Sequence, residues 1–304
     1  MNRKQPRNYT KPGAERRGFV PDKILRFEAS TGEPLLDFLL RELQPRKKTA
    51  IKSLLRYGQV AVGGQPTTQF DTPLYPGTVV EVNLTRPFVV FSHRRIKIVH
   101  EDEYILVIDK DYGLLSVGTG KSGEETAYDI LKEYLKLKDP ANKIFVVHRL
   151  DRSTSGLMMF AKTQEAKDAM QRNWNNMVLN RTYIAVVQGR PDPPEGTVRS
   201  YLKENQAMAM YSVEEPDPEA QLAVTRYKTL KTAGGYSTVE LELDTGRKNQ
   251  IRVHMKDLGT PIAGDRKYGG RPGPFNRIAL HARTLRFIHP ATRKEMNFVS
   301  NPRF

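Results

Sequence analysis

VVHRLDRSTSGLMMFAKT, residues 146–163, is the stretch on which the reading of this chain turns. Two apolar runs, IFVVH (144–148) and LMMFAK (157–162), have the length and composition of buried strands. Between them lies a polar loop, HRLDRSTSG, carrying one carboxylate, Asp151, flanked by Arg149 and Arg152. A carboxylate held between cations stays ionised, which a nucleophile or a general base requires. Ser153, Thr154, Ser155 and Gly156 supply the local hydrogen bonds and the tight turn such a loop needs. On residue types alone, Asp151 also fits the commoner role of a loop aspartate, a turn-former.

Outward from this loop the pattern predicts one module from about residue 96. YILVIDK (104–110), TYIAVVQG (182–189), TRYKTL (225–230), STVELEL (237–243), IALHA (278–282) and TLRFI (284–288) read as strands. TAYDILKEYLKL (126–137) reads as a helix with a Ser122–Glu125 capping box, ending before Asp139-Pro140. EAKDAMQRNWNNMVL (165–179) and KNQIRVHMKDLG (248–259), the latter closed by Gly259, read as two more. Strands follow one another without intervening helices, so the class is α+β with a mixed, mostly antiparallel sheet, not a doubly wound one. VEEPDPEA (213–220) is an acidic excursion that reads as an exposed loop.

Upstream, residues 18–85 form a smaller α/β module. PLLDFLLREL (34–43) and KKTAIKSLLRYG (47–58) read as short helices, the second closed by Gly58. QVAVGGQP (59–66) reads as a strand entering a Gly-Gly turn, and GTVVEVNL (77–84) as a closing strand. Lys47, Lys48, Lys52 and Arg56 share the outer face of the second helix. That face suits phosphate contacts, although a solvated stripe is the commoner cause of such a pattern. A linker is expected around 86–95. Residues 1–17 carry six cationic side chains against one acid, Glu15, and read as a flexible basic arm.

Composition agrees. The 304 residues include 49 Lys and Arg against 34 Asp and Glu, a net charge of +15, which favours a polyanionic partner. Hydrophobic residues make up 38%, enough for a real core. The absence of cysteine removes disulfides, Cys-ligated metal and thiol nucleophiles. No apolar run is long enough for a membrane span, and the N-terminus lacks the apolar core of a signal peptide. A cytoplasmic monomer with no membrane partner is expected. GTGKS (118–122) lacks the first glycine of a P-loop, and the six histidines show no metal-ligand spacing, so no metal site is expected. Arg247, Lys248 and Arg252 in DTGRKNQIRVHM (244–255) lie near a helix start and can serve a phosphate or pair with Asp151. A nuclease or phosphotransferase built on that motif is set aside, because both a metal cluster and a complete P-loop are missing.

HRLDRSTSG resembles the signature loop of the RluA-type RNA pseudouridine synthases. Four further blocks resemble that family in the same order: YILVIDKDYGLLSV, RTYIAVVQG, TGRKNQIRVHM, and PIAGDRKYGG with LHARTLRFIHP. Together they span about 104–290. Asp111 stands where the family usually has Pro, and Asn249 where His is common. The module at 18–85 resembles the alpha-L RNA-binding motif of ribosomal protein S-four-like domains, with Gly-Gly in place of the usual Asn-Gly. The resemblance implies a pseudouridine synthase catalytic domain over 96–304 that isomerises uridine in RNA to pseudouridine without cofactor or metal. It implies Asp151 as the catalytic aspartate, Arg252 as its basic partner and Tyr183 as the tyrosine that stacks on the target base. Leu280 is expected in the same pocket, and Arg149 is expected to probe the RNA stack as the nucleotide leaves it. Large-subunit ribosomal RNA is the expected substrate and transfer RNA the runner-up. A non-catalytic RNA-binding or ribosome-assembly factor is the competing class, since the arm and first module would serve it equally well.

Overall fold

The structure, a computed structural model, describes residues 22–118, 123–214 and 217–304. The basic arm at 1–17 and most of GTGKS therefore lie outside the described residues. The chain divides into two units, one ending at Val90 and the other beginning at Phe91.

In the first unit the elements run β1 (Ile24–Glu28), β2 (Glu33–Pro34), α1 (Leu35–Glu42), α2 (Lys48–Arg56), β3 (Val60–Val62), β4 (Gln65–Pro66), β5 (Pro73–Leu74) and β6 (Val79–Asn83). Strands β1, β6, β3 and β4 make a four-stranded sheet in that order. The helical spacing of Leu35, Phe38 and Leu39, and of Ile51, Leu54 and Leu55, puts both apolar stripes into one core with Val60, Val80 and Val82. Gly63 and Gly64 have φ of +56° and +76°. They form the two-residue turn of the β3–β4 hairpin, where positive φ at both positions matches the twist of the strands. Gly-Gly thus does the conformational task of Asn-Gly. Lys47, Lys48, Lys52 and Arg56 are all exposed, as their spacing predicts.

The second unit holds β7 (Ile96–Glu101), β8 (Ile105–Lys110), α3 (Ala127–Lys138), β9 (Phe145–Val146), β10 (Ser155–Ala161), α4 (Gln164–Arg172), α5 (Trp174–Met177), β11 (Val178–Gln188), β12 (Glu195–Glu204), β13 (Met210–Val213), β14 (Gln221–Ala233), β15 (Tyr236–Leu243), α6 (Gln250–Asp257), a 3-10 turn (Arg266–Tyr268), β16 (Leu280–Ile288) and β17 (Glu295–Val299). They build an 11-stranded sheet in the order β13-β12-β14-β15-β11-β16-β10-β8-β7, with β17 on β16 and β9 on β10. Between these strands the one parallel pairing is β10 with β16, so the sheet is mixed and mostly antiparallel. Every residue of β10 is buried, as a continuous apolar run demands. Its Leu157 and Met159 pack with Ile105, Val107, Leu285 and Phe287 under Ala166, Met170 and Met177 of the α4–α5 segment.

Several expected elements differ. The helix at 165–179 breaks at Asn173, whose cap geometry restarts a single turn before β11. IALHA and TLRFI are one continuous strand, β16. IFVVH keeps only two paired residues, because the chain then leaves the sheet to form the Asp151 loop. The cap of α3 is Thr126, whose hydroxyl accepts from the Asp129 amide at 3.2 Å and donates to its carboxylate at 2.7 Å. Ser122 lies outside the described residues. The acidic excursion is tied down where described, since Lys203 pairs with Asp217 at 3.0 Å and Glu219 at 2.7 Å.

Candidate active site

The Asp151 loop is fixed at both ends. Buried Ser116 donates its hydroxyl to the Leu150 carbonyl at 2.7 Å and accepts from the Leu150 amide at 3.1 Å. The Gly113 amide donates to the Arg152 carbonyl, and the Arg152 guanidinium to Glu124. At the exit, Gly156 has φ +112° and pairs with Ala282 of β16. A Cβ at this glycine would stand 2.1 Å from the Ala282 carbonyl oxygen, so only glycine lets β10 and β16 approach. His148 is pushed down to about 3 by burial and stays neutral, which lets its Nε2 accept the Met159 amide.

All six candidates of the catalytic module, Arg149, Asp151, Tyr183, Arg247, Arg252 and Leu280, line one cavity. Asp151 sits at its mouth with a quarter of its side chain exposed (26%). Its Oδ2 accepts from the Asn249 side-chain amide. The nearest nitrogen of Arg252, Nη1, is 3.7 Å away, an ion pair without a hydrogen bond.

The expected pairing of Arg252 with Asp151 is present as this ion pair, the looser of the two that Arg252 makes. The main partner of Arg252 is Asp265, which takes Nε at 2.7 Å and Nη2 at 2.8 Å in a two-pronged grip. Asp265 has no solvent exposure and Arg252 is 8% exposed. Burial works against the Arg252 charge, but the Asp265 hydrogen bonds and charge, with help from Asp151, raise its hold on the proton above the ordinary value. Arg252 is thus locked in place and presents its remaining nitrogen toward Asp151. Tyr268 completes the support. Its ring faces the Arg252 guanidinium at 4.9 Å, its hydroxyl donates to Asn249 Oδ1 at 3.0 Å and it accepts the Met210 amide at 3.1 Å.

Asp265 and Tyr268 support the site and are not singled out by the sequence reading. PIAGDRKYGG stands out there only as a block. A usable signal exists: Arg252 lies among Ile251, Val253 and Met255 on a short helix, and a buried arginine demands a buried counter-charge. Asn249 is marked only as a departure from His. Its φ of +51° is a conformation asparagine tolerates.

Tyr183 sits on β11 opposite Leu241 and Ala282, next to a register shift. Its side chain is 7% exposed, and its hydroxyl makes no hydrogen bond with any described residue. Desolvation, with the Asp151 charge, raises its pKa, and Arg181 opposes them. The phenol is neutral across the physiological range. Arg149 is exposed, and Arg247 donates Nε to the Leu222 carbonyl at 3.0 Å. Lys248 is drawn off to Glu204. The arrangement places a hydrogen-bonded carboxylate against a wall formed by a tyrosine and a leucine, with cations on its rim. Such a cavity suits a planar base on a phosphate-bearing strand.

Residues 104–257 match the RNA pseudouridylate synthase family. The chain belongs to that family. An uncharacterized RNA pseudouridine synthase of Bacillus subtilis, YlyB, is 31% identical over 90% of this chain and 92% of its own length. The ribosomal large subunit pseudouridine synthase D of Xylella fastidiosa is 31% identical, over 93% of this chain and 91% of its own. Among solved structures, human RNA pseudouridylate synthase domain containing 4 superposes with a TM-score of 0.56 at 28% identity, covering 68% of this chain and 88% of that one. Within the family the chain is of the RluA type, an isomerase acting on RNA.

Proposed function

We propose that this synthase converts uridines of large-subunit ribosomal RNA to pseudouridine, with Asp151 as the reacting carboxylate. The observation that carries the chemistry is the convergence of Asp151, Tyr183 and Arg252 on one cavity. The ribosomal target is supported by the name of the Xylella fastidiosa relative. The exposed cationic face of α2 supports an RNA-gripping role for the first unit, whose sequence resembles an alpha-L domain.

In the reaction the glycosidic C–N bond of uridine breaks, uracil turns in the pocket, and a C–C bond to the same sugar forms. The base loses a proton from the carbon that joins the sugar and gains one on the nitrogen that left it, so the product is an isomer and no co-reactant is consumed. Asp151 acts on the sugar, by attack or by removing the proton that gives a glycal. Both routes need a fixed carboxylate at this place, which Asn249 and Arg252 provide. Tyr183 stacks on the base, and its unpartnered hydroxyl is free to carry a proton. Leu280 closes the pocket, and Arg149 holds the gap left in the RNA stack. Extruding a base costs a few kcal/mol, which stacking and cation contacts offset.

Asp151→Asn tests the assignment. Pseudouridine formation on large-subunit ribosomal RNA is expected to fall by about 10³-fold or more, with RNA binding and circular dichroism preserved. Near-normal product from that variant overturns the role of Asp151. Product on transfer RNA alone overturns the target.

A further inference from the structure

A second cavity is lined by Arg94, Arg95, Lys97, Lys110, Arg277 and Arg303, with His93 and His281. Its carboxylates are Asp109 and Asp111. Asp109 accepts the Ser300 hydroxyl at 2.8 Å and lies 3.8 Å from Arg303. Asp111 Oδ1 accepts the Tyr112 amide at 2.8 Å. Among the described residues no carboxylate comes within ion-pair distance of Arg94, Arg95, Lys97, Lys110 or Arg277. Four cations, Arg94, Arg95, Lys97 and Arg277, therefore line one cavity without a salt-bridged carboxylate among the described residues, and Lys110 lines it with them.

Exposed Arg94 and Lys97 alone would fit a solvated face. Arg277 and Lys110 would not. Arg277 is half-buried and held by neutral groups: Nε donates to the Ile278 carbonyl at 3.1 Å, and Nη2 to the Ser155 hydroxyl at 2.7 Å and the Leu280 carbonyl at 3.2 Å. Its guanidinium stacks on Tyr112 at 4.3 Å. Lys110 has no solvent exposure, and its Nζ donates only to the carbonyls of Asp111 and Leu114. Burial pushes Lys110 down to about 7, against the raising charges of Asp151, Asp111 and Asp109, none of which lies within ion-pair distance. A charge taken out of water and left unpaired is costly, so fixed, uncompensated cations point to an anion from outside the chain.

The cations are also preorganised. His93 and Ile96 bridge, leaving Arg94 and Arg95 at the tip of a tight turn. The Arg95 amide donates to His93 Nδ1 at 3.2 Å, and the Arg95 carbonyl accepts the Asp111 amide at 2.8 Å. Ser155 joins the same network. Its hydroxyl meets His281 Nδ1 at 2.9 Å, while His281 Nε2 donates to the Ser300 carbonyl at 3.1 Å. Burial lowers the His281 pKa, consistent with that neutral tautomer. Arg277 also lines the open cleft that contains Asp151 and Arg149.

We propose that this cavity is a phosphate site that seats a backbone phosphate of the substrate RNA and shares Arg277 with the cleft that holds Asp151. Guanidinium forks match the oxygens of a phosphate, and the shared Arg277 ties strand placement to the cleft where the target nucleotide reacts. The source assigned to the phosphate rests on the reading that RNA is the substrate. The existence of an anion site does not.

The test has two arms on the full chain. In the first, inorganic phosphate is titrated by calorimetry against the wild type, Arg94→Gln/Lys97→Gln, Arg277→Gln and Arg277→Lys. Saturable binding is expected, weakened about tenfold or more by Arg277→Gln and by the double variant, and partly restored in Arg277→Lys. Equal phosphate affinity in all four proteins overturns the site. In the second arm, KM for RNA is expected to rise about tenfold in the exposed double variant, with kcat within about twofold and the salt slope of binding reduced by about one. Phosphate binding that depends on these residues together with an unchanged KM overturns the RNA assignment. If Asp151 fails its own test, the phosphate arm still reads the cavity independently.

Discussion

Two cationic regions of this protein use the same residue types in opposite ways. On α2 and at its N-cap, Lys47, Lys48, Lys52 and Arg56 are exposed, and none is paired with a described carboxylate. On α6, Arg252 is withdrawn from water and gripped by Asp265. Solvated charge attracts a polyanion over about a Debye length and holds no particular geometry. Gripped charge attracts little from afar but fixes an atom to within tenths of an ångström. The difference teaches that net charge predicts the partner, whereas the partner of each cation predicts its task.

The contrast breaks most sharply at Asp265. Asp265→Asn leaves Arg252 buried against a neutral amide and is expected to cost about 3–5 kcal/mol in urea or guanidinium unfolding, with activity lost as well. A change under about 1 kcal/mol would show that the pair does not hold the site. Lys110 comes next. Its depressed pKa means that between about pH 7 and 10.5 the unfolded chain binds a proton the folded chain does not. Stability should therefore rise with pH across that window, by up to about 1.4 kcal/mol per unit, in buffer without phosphate. Lys110→Met should remove that slope, and a variant that keeps the wild-type slope refutes it.

Smaller effects sharpen the same contrast. Asn249→Gly keeps the left-handed backbone and deletes the amide that binds Asp151. We expect kcat to fall about 10–100-fold with KM for RNA little changed, as for removal of a hydrogen bond to a charged group. A pure KM effect would place Asn249 in RNA binding instead. Last, replacing Lys47, Lys48, Lys52 and Arg56 with Gln should leave thermal unfolding within about 0.5 kcal/mol of wild type. The salt slope of RNA binding should fall by about 0.7–0.9 for each phosphate that the face no longer neutralises. An unchanged slope would make that face merely solvated.

Much of this is legible in the sequence, and the reasons are physical. Buried β8 and β10 announce themselves as apolar runs, and Asp151 stands out because it interrupts two of them. Strands β12 and β17 escape such a reading, because VRSYLKE and EMNFV alternate charged or polar residues with apolar ones near the sheet margins. The motif around Arg252 suggests its pairing with Asp151, which is present at 3.7 Å, but not the hydrogen bonds it makes to Asp265. Periodicity reports which face is buried, but not which of several aspartates arrives there. Asp265 enters from an irregular segment whose path is set by backbone hydrogen bonds to Ile262, Tyr268 and Gly270. No residue spacing encodes that path. Asn249 is visible as an oddity, and its meaning needs the left-handed turn that aims its amide.

Tyr268 carries a last consequence. One phenol joins the Met210 amide of the β12–β13 hairpin, the asparagine ahead of α6 and the Arg252 guanidinium. Two segments, the hairpin and the start of α6, thereby share one tyrosine as their common datum. An insertion in the hairpin turn before Met210 would move that datum, and Asn249 and Asp151 would shift with it. Loop length at the sheet margin is therefore tied to the placement of the Asp151 carboxylate.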